Sequence, residues 1–214
     1  MHDNVQQVQY WNRVAPEKSF SHPLRLEWLT KHLDSNARIL DAGCGYGRTL
    51  RQLSDAGFEN CVGLDFSAGM LYRCRSEAPQ ASLIRNDGHA LPLQSESVDA
   101  VLLFAVLTCV PADAEQKILI DETWRVLRPQ GLLYLSDLLL NSDERNVERY
   151  EQCEAKYGRY GVFELPEGVV VRHHSKAWIA ETTRQFEQVE YEPFTVTTMN
   201  GNSSAAFQYL GRKL

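Results

Sequence analysis

Five apolar runs recur along the chain, at Arg38 to Asp41, Cys61 to Asp65, Ser82 to Arg85, Val98 to Phe104 and Leu132 to Asp137, with helix-length segments between them. Strands that are continuously apolar must be covered on both faces, and amphipathic helices between them supply the cover. The pattern therefore predicts a doubly wound α/β domain with a mostly parallel sheet. Before the fifth run, Ile120, Trp124 and Leu127 fall at i, i+4 and i+7, and Arg128-Pro129-Gln130-Gly131 reads as the helix stop and turn. The helix after the first run is closed in the same way by Ala56-Gly57.

The first run leads into Asp41-Ala42-Gly43-Cys44-Gly45-Tyr46-Gly47-Arg48, a strand end, a glycine turn and a helix start. Without side chains at Gly43 and Gly45 a nucleotide-like ligand can approach the backbone, and Asp65, at the end of the next run, can accept hydrogen bonds from ribose hydroxyls. This combination points to a cofactor enzyme.

The flanking segments read differently. Residues 1–36 form an N-terminal helical cap, weakly patterned around Tyr10-Trp11-Asn12 and clearer after Pro23, where Leu26, Leu29 and Leu33 share a helical face. Beyond Asp137, Asn141 to Tyr157 is polar and helix-compatible, and residues 139–174 read as an insertion or lid above the ligand edge. Ser175 is positioned to cap a helix from Lys176 to Gln185. Strands near Val189 to Thr197 and Ala205 to Leu210 follow, joined through the turn chemistry of Met199-Asn200-Gly201-Asn202. That ending predicts an antiparallel pair closing the sheet. With no repeat or second boundary, residues 1–214 are expected to be one domain.

A formal net charge of −6 and no run of Lys and Arg give no electrostatic reason to seek a polyanion. The acidic balance favours a neutral or cationic small molecule over RNA. The first residues do not resemble a signal peptide, and the longest apolar stretch, Val98 to Val110, contains Asp99 and is too short to span a bilayer; a cytoplasmic protein without membrane contact is expected. Cys44, Cys61, Cys74, Cys109 and Cys153 show no CxxC spacing and read as isolated thiols.

Three nucleotide sites compete for the glycine turn. A phosphate loop needs GxxxxGK[ST], and Gly47-Arg48-Thr49 lacks both the Lys and the spacing. A dinucleotide fold prefers GxGxxG, whereas Gly43, Gly45 and Gly47 give GxGxG, and Asp41 before the turn suits a ligand carrying a cation and repels pyrophosphate. The local chemistry points away from NAD. Instead the chain resembles a class I S-adenosylmethionine-dependent methyltransferase of the small-molecule, type 11-like group. The resemblance is carried by Ile39 to Gly47, by Cys61 to Ser67 with Met70 following, by Arg85-Asn86-Asp87-Gly88-His89-Ala90-Leu91-Pro92-Leu93, by Ser97 to Val101 and by Arg125 to Gly131; it is ordered from about Tyr10 to Asp137.

The resemblance implies a Rossmann-like sheet of seven strands in the order 3-2-1-4-5-7-6 with the last antiparallel. It also implies S-adenosylmethionine as donor and S-adenosylhomocysteine as product. Carried over by position, it implies that Gly43, Cys44 and Gly45 line the methionine and ribose portion, with Asp41 near the methionine ammonium. Asp65 would bind the ribose hydroxyls, and Met70, where the family commonly has a methionine after this acidic residue, would also belong to the cofactor site. Phe66, Asp87, Gly88 and His89 would surround adenine, and Phe104 would face the sulfonium.

A sulfonium methyl is already activated, so alignment and desolvation can supply much of the rate. A hydroxyl or protonated-amine acceptor would need a base; a carboxylate or free amine would not. Candidate bases are His22, His173 and His174, with Tyr10 as a wall residue, while Leu107-Thr108-Cys109 stands where the family often has a histidine. His173-His174 is not a metal signature, because adjacent side chains rarely converge, and no metal is expected. The acceptor and the oligomeric state stay open. So do methylation of RNA or protein and a non-catalytic cofactor-binding regulatory role.

Overall fold

The computed structural model describes residues 2–214, with side chains from Gln6 onward. Parallel strands β1 (Arg38–Ala42), β2 (Asn60–Asp65), β3 (Ser82–Arg85) and β4 (Val98–Phe104) join β5 (Leu127–Leu138), β8 (Phe186–Thr197) and β9 (Ser203–Lys213) in one seven-stranded sheet of order β3-β2-β1-β4-β5-β9-β8. Strand β9 runs antiparallel to both of its neighbours. This is the sheet expected from the sequence, with β8 and β9 as the sixth and seventh strands. The C-terminal pair is longer than its apolar pattern suggests, because Pro193 and the charged residues of β8 are tolerated on an edge strand.

Period-two alternation divides the core between the sheet faces. From β4, Val101 and Leu103 join Leu119 and Ile120 of α5 (Asp113–Val126) and Trp178 and Ile179 of α7 (Lys176–Thr182). Ala100, Leu102 and Phe104 face the other way, toward Leu50 and Leu53 of α3 (Arg48–Asp55), Leu71 and Cys74 of α4 (Ala68–Glu77), and Trp28 and Leu29 of α2 (Leu26–Thr30). The helix expected to include Leu33 has only five residues, and Leu33 lies past its end.

Two boundaries differ from expectation for reasons of backbone pairing. Leu127 already pairs with Val98, so β5 begins directly at the end of α5, and the stretch Arg128 to Gly131 is a bulge inside the strand, with Gln130 at φ +67°. Helix α7 stops at Thr182 although its pattern runs to Gln185. The Thr183 hydroxyl donates to Ile179 O at 2.8 Å, which satisfies a terminal carbonyl; Ser175 caps the other end, accepting from Trp178 N at 3.1 Å.

A third apolar cluster covers the C-terminal edge of the sheet. Helix α1 (His2–Val14) crosses α4 where Gly69 leaves room: a Cβ there would lie 3.0 Å from Asn12 O, and the Asn12 side chain accepts from Ser67 Oγ and Gly69 N. Residues 139–174 form α6 (Glu144–Tyr157) and a separate hairpin of β6 (Val162–Glu164) and β7 (Val170–Arg172). Tyr150 of α6, Phe163 of β6 and Val171 of β7 join Trp11, Tyr46 and Met70 in this cluster, so cap and insertion meet above the glycine turn.

Candidate active site

Strand order reverses between β1 and β4, and the loops leaving these two strands separate around a cavity of about 580 Å³. One wall is the glycine turn. Gly43 N and Cys44 N both donate to Leu64 O, at 2.7 and 3.0 Å, which ties the turn to β2. A Cβ on Gly43 would sit 2.4 Å from Val106 Cγ2, and one on Gly45 would sit 2.9 Å from Phe20 Cε2, so the turn is roofed closely by the loop after β4 and by the N-terminal segment.

Asp65 stands where β2 ends and lines the cavity. Its Oδ2 accepts from Gly45 N at 2.9 Å and its Oδ1 from Ser67 N at 2.8 Å. Burial pushes its carboxyl above the usual range, and these backbone N–H groups pull against that. Each oxygen keeps a lone pair for a hydroxyl donor. Asp41 lies outside the cavity lining, beneath the turn, with Oδ2 buried and unpartnered. Desolvation raises it to about 7, Arg48 opposing and Asp65 adding to the rise. Cys44 also contributes no lining: its side chain runs into the core with Leu50 and Cys74.

Phe66, Met70, Asp87, Gly88 and His89 line the neighbouring stretch. Asn86 Oδ1 accepts from Gly88 N at 2.7 Å and Asp87 Oδ1 from His89 N at 3.1 Å, two Asx turns that hold this loop open with Asp87 exposed. At the far end Phe104 and Ala105 line the cavity, Ala105 with φ +55°, a conformation that costs a non-glycine residue energy.

The three candidate bases and the wall residue Tyr10 divide. His22 and His173 line the cavity; His174 and Tyr10 do not. His174 is locked in the fold between Gln116 Nε2 at 2.9 Å and Leu138 O at 3.1 Å, and the Tyr10 hydroxyl turns to Met199 Sδ at 4.0 Å. Those two are therefore corrected from wall or base candidates to packing residues, because the chain around each supplies partners away from the cavity. His22 Nδ1 meets Ser136 Oγ at 2.9 Å, and burial lowers the ring to about 4. His173 Nδ1 meets Tyr150 Oη at 2.6 Å and Asn141 Nδ2 at 3.3 Å, and burial lowers it to about 3. Asn141 is oriented by accepting from Ala205 N at 2.8 Å, and its Nδ2 donates to Leu139 O at 2.8 Å and to Ser204 Oγ at 3.0 Å. Neither imidazole is poised to take a proton near neutral pH.

Sequence reasoning passed over Gln7, Arg145, Arg149 and the turn residues Met199, Asn200 and Asn202, all of which line the cavity. The i, i+4 spacing of the two arginines on α6 was the available signal.

The family described as a methyltransferase domain matches residues 40–135. A malonyl-[acyl-carrier protein] O-methyltransferase of Enterobacter lignolyticus is 37% identical over 106 residues, covering 50% of this chain and 41% of that protein. A demethylmenaquinone methyltransferase of Renibacterium salmoninarum is 36% identical over 100 residues, covering 47% and 40%. The chain thus spans about two fifths of the length of these relatives. Among solved structures, a SAM-dependent methyltransferase from Methanosarcina mazei superposes with a TM-score of 0.84 at 23% identity, over 90% of this chain and 99% of that one, a likeness of fold.

Proposed function

We propose that this chain, whose residues 40–135 match a methyltransferase domain and whose fold is that of a SAM-dependent methyltransferase, uses S-adenosylmethionine to transfer a methyl group to O, N or C of a small metabolite held between the glycine turn and residues 139–174. The observation that carries the reading is Asp65, which braces the Gly43–Gly45 turn through Gly45 N while facing the cavity. The buried, unpartnered Asp41 Oδ2 beneath a turn with no room for side chains fits a ligand with a cationic amino group.

The bound cofactor supplies an electrophilic methyl group. Asp65 would grip the ribose hydroxyls, with Met70 lining the same stretch, and Phe66, Asp87, Gly88 and His89 would surround adenine. Gly43 and Gly45 give backbone approach, with Cys44 packing the turn from behind. Phe104, Ala105 and Val106 form the wall past which the acceptor must approach. Trp11, Phe20 and the 139–174 segment keep water from the reacting end and act as the lid, so positioning and desolvation are the protein's main contribution. With His22 and His173 both held neutral, an acceptor with a free lone pair suits the site better than one that must first lose a proton.

Among the described residues no helix is long and apolar enough to cross a membrane. A cytoplasmic small-molecule enzyme, not one acting on nucleic acid, remains the reading. A metabolite extract incubated with methyl-labelled donor and read by mass spectrometry tests it. A labelled small product is expected; label found only in RNA or protein, or none despite cofactor binding, refutes it.

Asp41 makes a pH prediction. A carboxyl raised to about 7 is partly protonated at neutral pH, and a bound ammonium favours its ionised form. Cofactor affinity is expected to rise with pH between 6 and 8, and Asp41→Asn should flatten that dependence and cost about tenfold at pH 8. For the free protein the sign is opposite. The folded state holds the proton that the unfolded chain releases near pH 4, so stability falls as pH climbs toward 7, and Asp41→Asn should remove that part of the fall in thermal melts.

A further inference from the structure

The charges lining the cavity are sorted. The carboxylates Asp65, Asp87 and Glu115 come from β2, the loop after β3 and α5, all on the side of the glycine turn. The guanidiniums Arg145 and Arg149 come from α6 in the 139–174 segment. Other arginines of this region are neutralised: Arg172 pairs with Asp113 at 2.7 Å, Arg159 pairs with the same carboxylate, and Arg145 lies 3.8 Å from Asp143. Arg149 makes no ion pair among the described residues. It is half-buried, donates to the neutral Asn146 Oδ1, lies 3.6 Å above the Phe163 ring, and leaves Nε buried without a partner.

Asp143 is the nearby carboxylate that acts on Arg149, from beyond ion-pair distance; a half-buried guanidinium without a direct counter-charge is costly, and a bound anion removes the cost. His173 packs edge-on against the same Phe163 ring at 5.0 Å, and its Nε2 has no hydrogen-bond partner among the described residues, Nδ1 meeting Tyr150 Oη and Asn141 Nδ2. A fixed cation and an imidazole with one free nitrogen thus flank one aromatic ring.

We propose that the methyl acceptor is an organic carboxylate whose anionic group is held by Arg149, with Arg145 at the cavity mouth and His173 as a further donor, its apolar body lying along Phe163, Leu165 and Val171. This reverses the expectation from net charge, which averages over the surface and is blind to one local unpaired cation. One unpaired guanidinium with a neutral imidazole suits a monoanion better than a phosphate dianion. The carboxylates near the mouth are Glu164, held by Lys156 at 2.7 Å, and Glu167. Calling the ligand an acceptor rests on the methyl-transfer reading; the anion site rests on the cavity alone.

The test is calorimetry on protein saturated with S-adenosylhomocysteine, titrated with octanoate, octanamide and octyl phosphate, for wild type, Arg149→Gln and Arg149→Lys. Octanoate should bind at least about tenfold tighter than octanamide in wild type, as a charge-assisted hydrogen bond implies. The preference should collapse in Arg149→Gln and survive in part in Arg149→Lys. Unchanged S-adenosylhomocysteine affinity in Arg149→Gln shows that the fold persists. Equal binding of acid and amide, no measurable octanoate binding, a preference that outlasts Arg149→Gln, or tighter binding of octyl phosphate overturns the proposal. If S-adenosylhomocysteine fails to bind while the octanoate preference and its loss in Arg149→Gln persist, the methyl-transfer reading falls and the anion site stands.

Discussion

Replacing Asp65 by alanine is expected to weaken S-adenosylmethionine or S-adenosylhomocysteine binding by a factor of about a hundred or more. A charge-assisted hydrogen bond contributes about 1.5–3 kcal/mol, and the proposed grip on two ribose hydroxyls uses two of them. The same change strips Gly45 N and Ser67 N of their acceptor, so the turn loses its brace as well as its ligand contact. Asp65→Asn separates the two effects. Its remaining carbonyl can still accept from one of these N–H groups, so thermal stability should recover in part while affinity stays low. Calorimetry that returned wild-type affinity for Asp65→Ala would remove the central assignment.

The second large effect is expected at Gly43. An alanine there must adopt φ +83° and place its Cβ 2.4 Å from Val106 Cγ2. The left-handed conformation costs roughly 1–2 kcal/mol for a residue with a Cβ, and relieving the overlap moves the loop that roofs the turn. Gly43→Ala is expected to lower the melting temperature by about 5 °C or more in a domain of this size and to reduce cofactor affinity at least tenfold. Adding Val106→Ala should restore part of the stability, since it removes the overlap and leaves the backbone strain. A Gly43→Ala protein with unchanged melting and unchanged affinity would show that the turn is not the close-fitting wall described.

The parts of this molecule legible in its sequence are those made by neighbours in the chain. Apolar runs at Ile39 and Val98 announce buried strands because a strand covered on both faces has no polar alternative, and the parallel order follows from the helices between them. Gly43 and Gly45 announce a tight turn because their positive φ values exclude most other residues. Asp65 was visible because its place, the end of the strand after that turn, is set by the same rhythm.

What residues far apart in sequence decide was not legible. His173 and His174 are adjacent and so point to opposite sides of an extended segment, and only its pairing with Leu139 and Gly161 establishes that His173 takes the cavity side and His174 the side of Gln116. Tyr10 belongs to a helix whose approach is set by Gly69, 59 positions away, and so turns its hydroxyl to Met199. Net charge read from composition gave the opposite sign from the cavity's α6 wall, because composition sums over solvent-exposed groups that water screens, whereas Arg149 is half-buried and makes no ion pair among the described residues. By itself the sequence determined the sheet, the glycine turn and the acid beside it, since each is encoded within one strand–turn–helix unit. Tertiary structure decided which histidines, arginines and aromatics share the cavity, since those side chains converge only when the cap and the insertion fold over the strand ends.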